Sequence, residues 1–87
     1  MIKKELEIIN KLGIHARPAS LLMKEAKQWN SKITLTANSK KASLNSVLEI
    51  LGLGAKKGSV IELLVDGEDE QEAYNKIVKL INSGFGE

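Results

Sequence analysis

The chain has 87 residues, one histidine, no cysteine, 43% hydrophobic and 28% charged side chains, and a net charge of +2. This is one domain's worth of chain, 1–87, with a single thin core; a disulfide scaffold, a thiolate metal site and a multi-histidine metal centre are excluded. The opening Met1-Ile2-Lys3-Lys4-Glu5 has no apolar run of signal-peptide length and no stretch approaches a membrane span, so a cytoplasmic location with no membrane partner is expected.

Ile2 to Ile9 reads as a strand with Leu6 and Ile8 on one face, ended by Asn10-Lys11-Leu12-Gly13. Ala19, Leu22, Met23, Ala26 and Trp29 recur at helical spacing, predicting a helix from about Ala16 to Trp29 with Pro18 in its first turn. Ile33 to Thr36 alternates as a strand, Asn38-Ser39-Lys40-Lys41 reads as a turn, and a short strand follows at Ala42 to Leu44. Ser46 and Glu49 form a capping box that opens a short helix stopping near Gly52-Leu53-Gly54. Val60 to Val65 is a buried strand turned by Asp66-Gly67. Asp69-Glu70-Gln71-Glu72 resembles a second capping box before a helix striped by Ala73, Ile77, Leu80 and Ile81, which Gly84 ends. The order βαββαβα packs most economically as an α+β two-layer sandwich, a four-stranded sheet with helices on one face.

Charge is unevenly spread. Residues 1–45 carry nine Lys/Arg and three Glu, whereas residues 46–87 carry four Lys and eight acids. A basic first half suits a nucleic-acid surface, an acidic protein partner, or simply an uneven solvated face. An RNA-binding domain should show stacking aromatics on the sheet or a GxxG loop; Trp29, Tyr74 and Phe85 all lie on or after helices and no GxxG occurs, so no nucleic-acid partner is expected.

The one segment unlike ordinary scaffold is Gly13-Ile14-His15-Ala16-Arg17-Pro18-Ala19. On the plain reading, His15 caps the helix and Arg17 is a solvated charge. On the chemical reading, a helix N-terminus at Ala16–Pro18 offers unpaired N–H groups and the positive end of the macrodipole to an anion. Arg17 adds a donor fork suited to phosphoryl oxygens, and the cationic surroundings favour an uncharged, nucleophilic ring at His15. No carboxylate neighbours His15 in sequence, no Ser–His pair is evident, and Gly52 to Gly58 matches neither GxxxxGK[ST] nor GxGxxG. A nucleophile beside an anion cradle, with no machinery of its own, suggests a carrier that needs no cofactor.

Gly13-Ile14-His15-Ala16-Arg17-Pro18-Ala19 resembles the active-site motif of the HPr family, the histidine phosphocarriers of the bacterial phosphoenolpyruvate-dependent phosphotransferase system. Chain length, element order, the Ser-headed short helix ending near Leu53-Gly54, and Gly67-Glu68-Asp69-Glu70 with Glu72-Ala73 extend the likeness over essentially the whole chain. The resemblance implies an open-faced β-sandwich, phosphorylation of His15 on Nδ1 by phosphorylated enzyme I, transfer to an enzyme IIA domain, and charge balancing by Arg17. It also implies a monomer that docks through Ser20, Lys24 and Lys27 on the first long helix and Val47, Leu48 and Leu51 on the short one.

Three points stay open in the sequence. In many relatives from low-GC Gram-positive bacteria the serine matching Ser46 is the target of a regulatory serine kinase, but the usual Lys-Ser-Ile-Met-Gly is here Asn45-Ser46-Val47-Leu48-Glu49. Glu49 should repel a phosphate on Ser46, whereas unmodified Ser46 is a good helix cap. Asn10-Lys11-Leu12-Gly13, Asn45-Ser46-Val47, Ala55-Lys56-Lys57-Gly58 and Asn82-Ser83-Gly84-Phe85 are similar to the nitrogen-branch paralogue NPr, whose relay regulates instead of importing sugar. Whether Glu87 reaches His15 is likewise not readable from the chain.

Overall fold

The computed structural model describes residues Met1–Glu87. Its elements are β1 (Ile2–Glu7), α1 (Ala16–Ala26), β2 (Lys32–Ala37), β3 (Lys40–Ser43), α2 (Val47–Gly52), β4 (Val60–Asp66) and α3 (Glu70–Asn82), followed by one further turn at Gly84–Gly86. The strands form one antiparallel sheet in the order β1-β4-β2-β3. The expected α+β open-faced sandwich is the fold observed.

Strand alternation builds the core. Leu6 of β1 lies opposite Ile61, while Leu63 of β4 lies opposite Leu35 and Leu35 opposite Ala42 of β3. These residues are buried with Leu22, Ala26, Ile77 and Ile81 from the long helices, whereas Glu5, Glu7 and Glu62 alternate onto the uncovered face. Ile50 is the buried residue of α2, which packs on α1 and β3.

Several boundaries differ from the sequence reading, each for a local reason. β1 stops at Glu7 because Ile8, although fully buried, exchanges its hydrogen bonds with the loop at Gly58 and Ser59. α1 stops at Ala26; Trp29 N bonds Ala26 O in a following turn, and Trp29 Nε1 donates back to Glu25 at 3.0 Å. The turn between β2 and β3 is only Asn38-Ser39, both with positive φ, so Lys40 and Lys41 belong to the strand.

Both expected capping boxes are corrected. Ser46 Oγ accepts from Glu49 N at 3.2 Å, but the Glu49 carboxylate accepts from Ser43 N instead of returning to Ser46 N. Ser46 N is already bonded to Ser43 O. At α3, the Asp69 side chain makes no cap; it turns outward to accept from the amides of Asn30 and Ser31 at 2.8 and 2.9 Å.

Candidate functional site

The site begins with a close approach of two loops. Gly13 has φ +68, and Ile14 N donates to Ala55 O at 3.0 Å. The chain then enters α1 with His15 in extended backbone at the N-cap position. The plain reading of His15 as a helix cap does not hold, because its ring makes no capping bond. Ala19 N takes the His15 carbonyl, Pro18 has no N–H, and the amides of Ala16 and Arg17 meet no acceptor. Two N–H groups at the positive end of an eleven-residue helix are therefore available to an anion.

The ring itself is held from the far end of the chain. His15 Nε2 lies 2.6 Å from Glu87 Oε2, and Arg17 Nη1 lies 3.8 Å from the same oxygen. Since a carboxylate accepts, the neutral ring carries its proton on Nε2 and its lone pair on Nδ1, which has no hydrogen-bond partner. Asn10 Nδ2 donates to the other oxygen of Glu87 at 2.9 Å and to Gly13 O at 2.6 Å. The Glu87 carboxyl is held below its ordinary range, first by the Asn10 amide and then by His15 and Arg17, with burial opposing. Arg17 is 61% exposed, so its guanidinium can swing toward a group on Nδ1.

The structure places His15, Ala16, Arg17 and Pro18 at the start of α1, with the side chains of Glu87 and Asn10 beside them, which the sequence reading did not place there. The cationic site expected from sequence contains a carboxylate. Its only sequence signal is Gly84-Phe85-Gly86, a pattern that permits the chain to fold back without saying onto what.

The remaining candidates lie on α1 and α2. Arg17, Ser20, Lys24 and Lys27 form one exposed stripe at helical spacing. On α2, Leu48 is 82% exposed, Leu51 is exposed and Val47 is half-buried, so apolar surface remains uncovered there. Leu12, also exposed, extends this character into the loop before His15. Ser46 is the cap of α2, with its hydroxyl oxygen engaged.

An open-faced sandwich that presents one histidine at an anion-accepting helix end is the architecture of small phosphocarriers. The family model described as the PTS HPr component phosphorylation site matches residues 2–83. The phosphocarrier protein HPr of Neisseria meningitidis serogroup A is 44% identical over 87 residues, covering 100% of this chain and 98% of that protein. The crystal structure of HPr-C-His from Thermoanaerobacter tengcongensis superposes with a TM-score of 0.94 at 41% identity, covering 100% of this chain and 98% of that one. A dimer of HPr from the same organism matches with a TM-score of 0.78 at 41% identity, over 100% of both chains. The chain belongs to the HPr family of phosphocarriers of the phosphotransferase system.

Proposed function

We propose that this protein accepts a phosphoryl group on His15 Nδ1 from phosphorylated enzyme I and delivers it to an enzyme IIA domain of a sugar permease, in the cytoplasm and as a monomer. The observation that carries this reading is the pairing of an unengaged Nδ1 with two unbonded helix amides while Nε2 is held by Glu87. In the forward step the Nδ1 lone pair forms the N–P bond. The bond from phosphorus to the donor breaks, and its electron pair stays with the donor. Arg17 and the amides of Ala16 and Arg17 then face the phosphoryl oxygens. The second transfer reverses these roles.

The uncovered Val47, Leu48 and Leu51, rimmed by Arg17, Ser20, Lys24 and Lys27, form the docking surface in this reading. Apolar contact gives a modest affinity and basic residues steer an acidic partner, as a relay with fast release requires. Ser46 serves as the cap of α2 and not as a kinase target, because phosphorylation would replace its bond to Glu49 N and set a dianion on a turn carrying Glu49.

A nitrogen-branch, NPr-like regulatory role is the second reading. What favours it is that Asn10 and Gly84-Phe85, two of the features carrying that likeness, lie together at the site. The test is intact mass after incubation with phosphoenolpyruvate and enzyme I, beside His15→Ala. One added, acid-labile phosphoryl group, absent in the variant, is expected. Modification only by a nitrogen-branch enzyme I selects the second reading, and none by either enzyme removes both.

A further inference from the structure

Two tight turns stand side by side next to the loop that carries His15. The first closes as Gly13 N donates to Asn10 O at 3.0 Å, with Lys11 and Leu12 at its tip. The second closes as Ser59 N donates to Lys56 O at 2.9 Å, with Lys57 and Gly58 at its tip. Gly58 supplies the left-handed φ, +89, that the third position of such a turn requires. Ser59 Oγ also accepts from Lys56 N at 2.9 Å. Three backbone bonds tie the turns together: Ile8 N to Ser59 O, Gly58 N to Ile8 O, and Ile14 N to Ala55 O. They bracket both turns, so this surface is ordered before anything binds, and little conformational freedom is left to lose on binding.

The turns present both apolar and cationic groups. Lys11, Leu12, Lys56 and Lys57 are exposed, as are Ile9 just before the first turn and Val60 just after the second. Leu12 is 68% exposed; with Ile9 and Val60 it makes up three of the six large apolar side chains left in water, α2 holding two others. No Asp or Glu occurs from Ile8 to Lys24 or from Ile50 to Ile61. Glu7, paired with Val60, borders the patch, and Glu87 reaches the region but is engaged by Asn10, His15 and Arg17. Every ion pair of the molecule involves Met1, His15 or Arg17, so the three lysines carry charge that no carboxylate of the chain neutralises at contact. Neither turn contains a residue of the α1 and α2 docking surface.

We propose that the paired turns at Asn10–Gly13 and Lys56–Ser59 form a second docking surface, for an acidic protein segment that carries apolar residues among its carboxylates. Charge complementarity selects the acidic partner, with Lys11, Lys56 and Lys57 steering it, while Leu12, Ile9 and Val60 give it apolar surface to cover. A nucleic acid would use the lysines but leave these aliphatic chains in water, and neither turn offers an aromatic ring for a base to stack on. A lipid surface would need apolar groups gathered at the tips, whereas only Leu12 stands at one and Ile9 and Val60 lie behind the turns. The surface does not depend on the phosphoryl chemistry of His15.

The test titrates the 15N-labelled full chain with a synthetic peptide of Glu-Glu-Leu repeats, its Gln-Gln-Leu counterpart, oligouridylate, and phosphatidylglycerol vesicles. The glutamate peptide is expected to move the amide signals of residues 9–13 and 56–60 and to leave those of α2 in place. Replacing Lys11→Gln, Lys56→Gln and Lys57→Gln together should weaken that binding by about tenfold or more, and Leu12→Ser should weaken it as well. Phosphoryl acceptance from phosphorylated enzyme I should keep its native rate in the triple variant. Shifts confined to α1 and α2, an equal response to the glutamine peptide, or no response to any probe overturns the proposal. A response to oligouridylate or vesicles but not to the glutamate peptide overturns it too, and so does slowed phosphoryl acceptance in the triple variant, which would assign the turns to the relay surface. If the native chain accepts no phosphoryl group, the carrier reading fails while the peptide titration still decides whether this surface exists.

Discussion

Gly13 lies so close to Ala55 that a β-carbon on it would stand 2.6 Å from the Ala55 carbonyl oxygen and 2.7 Å from Lys56 Cα. Both contacts are backbone, so no side chain can turn aside to make room. The same carbonyl accepts the amide of Ile14, which places the residue immediately before His15.

Gly13→Ala should therefore separate the two loops and displace His15. With φ at +68 added to the clash, a loss of about 2 kcal/mol is expected. Urea denaturation midpoints measure the stability, and phosphoryl acceptance should fall with it. A variant as stable and as active as the native chain would mean that this contact does not set the site.

Acid should weaken the far end of the molecule. The Asp69 carboxylate accepts from the Ser31 hydroxyl and the amides of Asn30 and Ser31, and these bonds, the hydroxyl foremost, hold its carboxyl below the ordinary value against burial. A depressed folded-state pKa contributes stability that is complete above the unfolded value, about 4, and is lost as pH falls through the folded value. Glu70 and Glu87 are shifted in the same direction. Native stability should thus decline below about pH 4. The gap between native and Asp69→Asn midpoints should narrow over that range. A gap independent of pH would locate the effect of the substitution elsewhere.

Ser46→Ala should cost about 1 kcal/mol, because the hydroxyl satisfies Glu49 N at the start of α2. Glu49 keeps its separate bond to Ser43 N, so the helix should persist. Coincident thermal midpoints would show that the cap contributes nothing to stability.

The sandwich was legible because β4 and α3 keep clean periods of two and 3.6, and because Ser46 and Gly84 mark helix ends. His15 and Arg17 stood out for a different reason: a local motif places them at the start of α1. Ile8 and Trp29 fell outside the expected elements because turn and loop hydrogen bonds, which have no periodicity, decide where those elements stop, whereas Lys40 pairs with Ala37 because the turn between them has only two residues. The Glu49 side chain went to Ser43 because a strand amide lay within reach, a tertiary choice that a capping pattern does not encode. Asn10 and Glu87 were invisible as a pair for the same reason. Their contact spans 77 residues and exists only once Phe85 is buried.

That span bears on how the molecule is made. His15 is synthesised early, yet the carboxylate that completes its surroundings is 72 residues further along. A ribosome-bound chain can display the histidine motif long before Phe85 and Glu87 emerge to close over it. The surroundings of His15 are therefore completed only with the long-range closure of the fold.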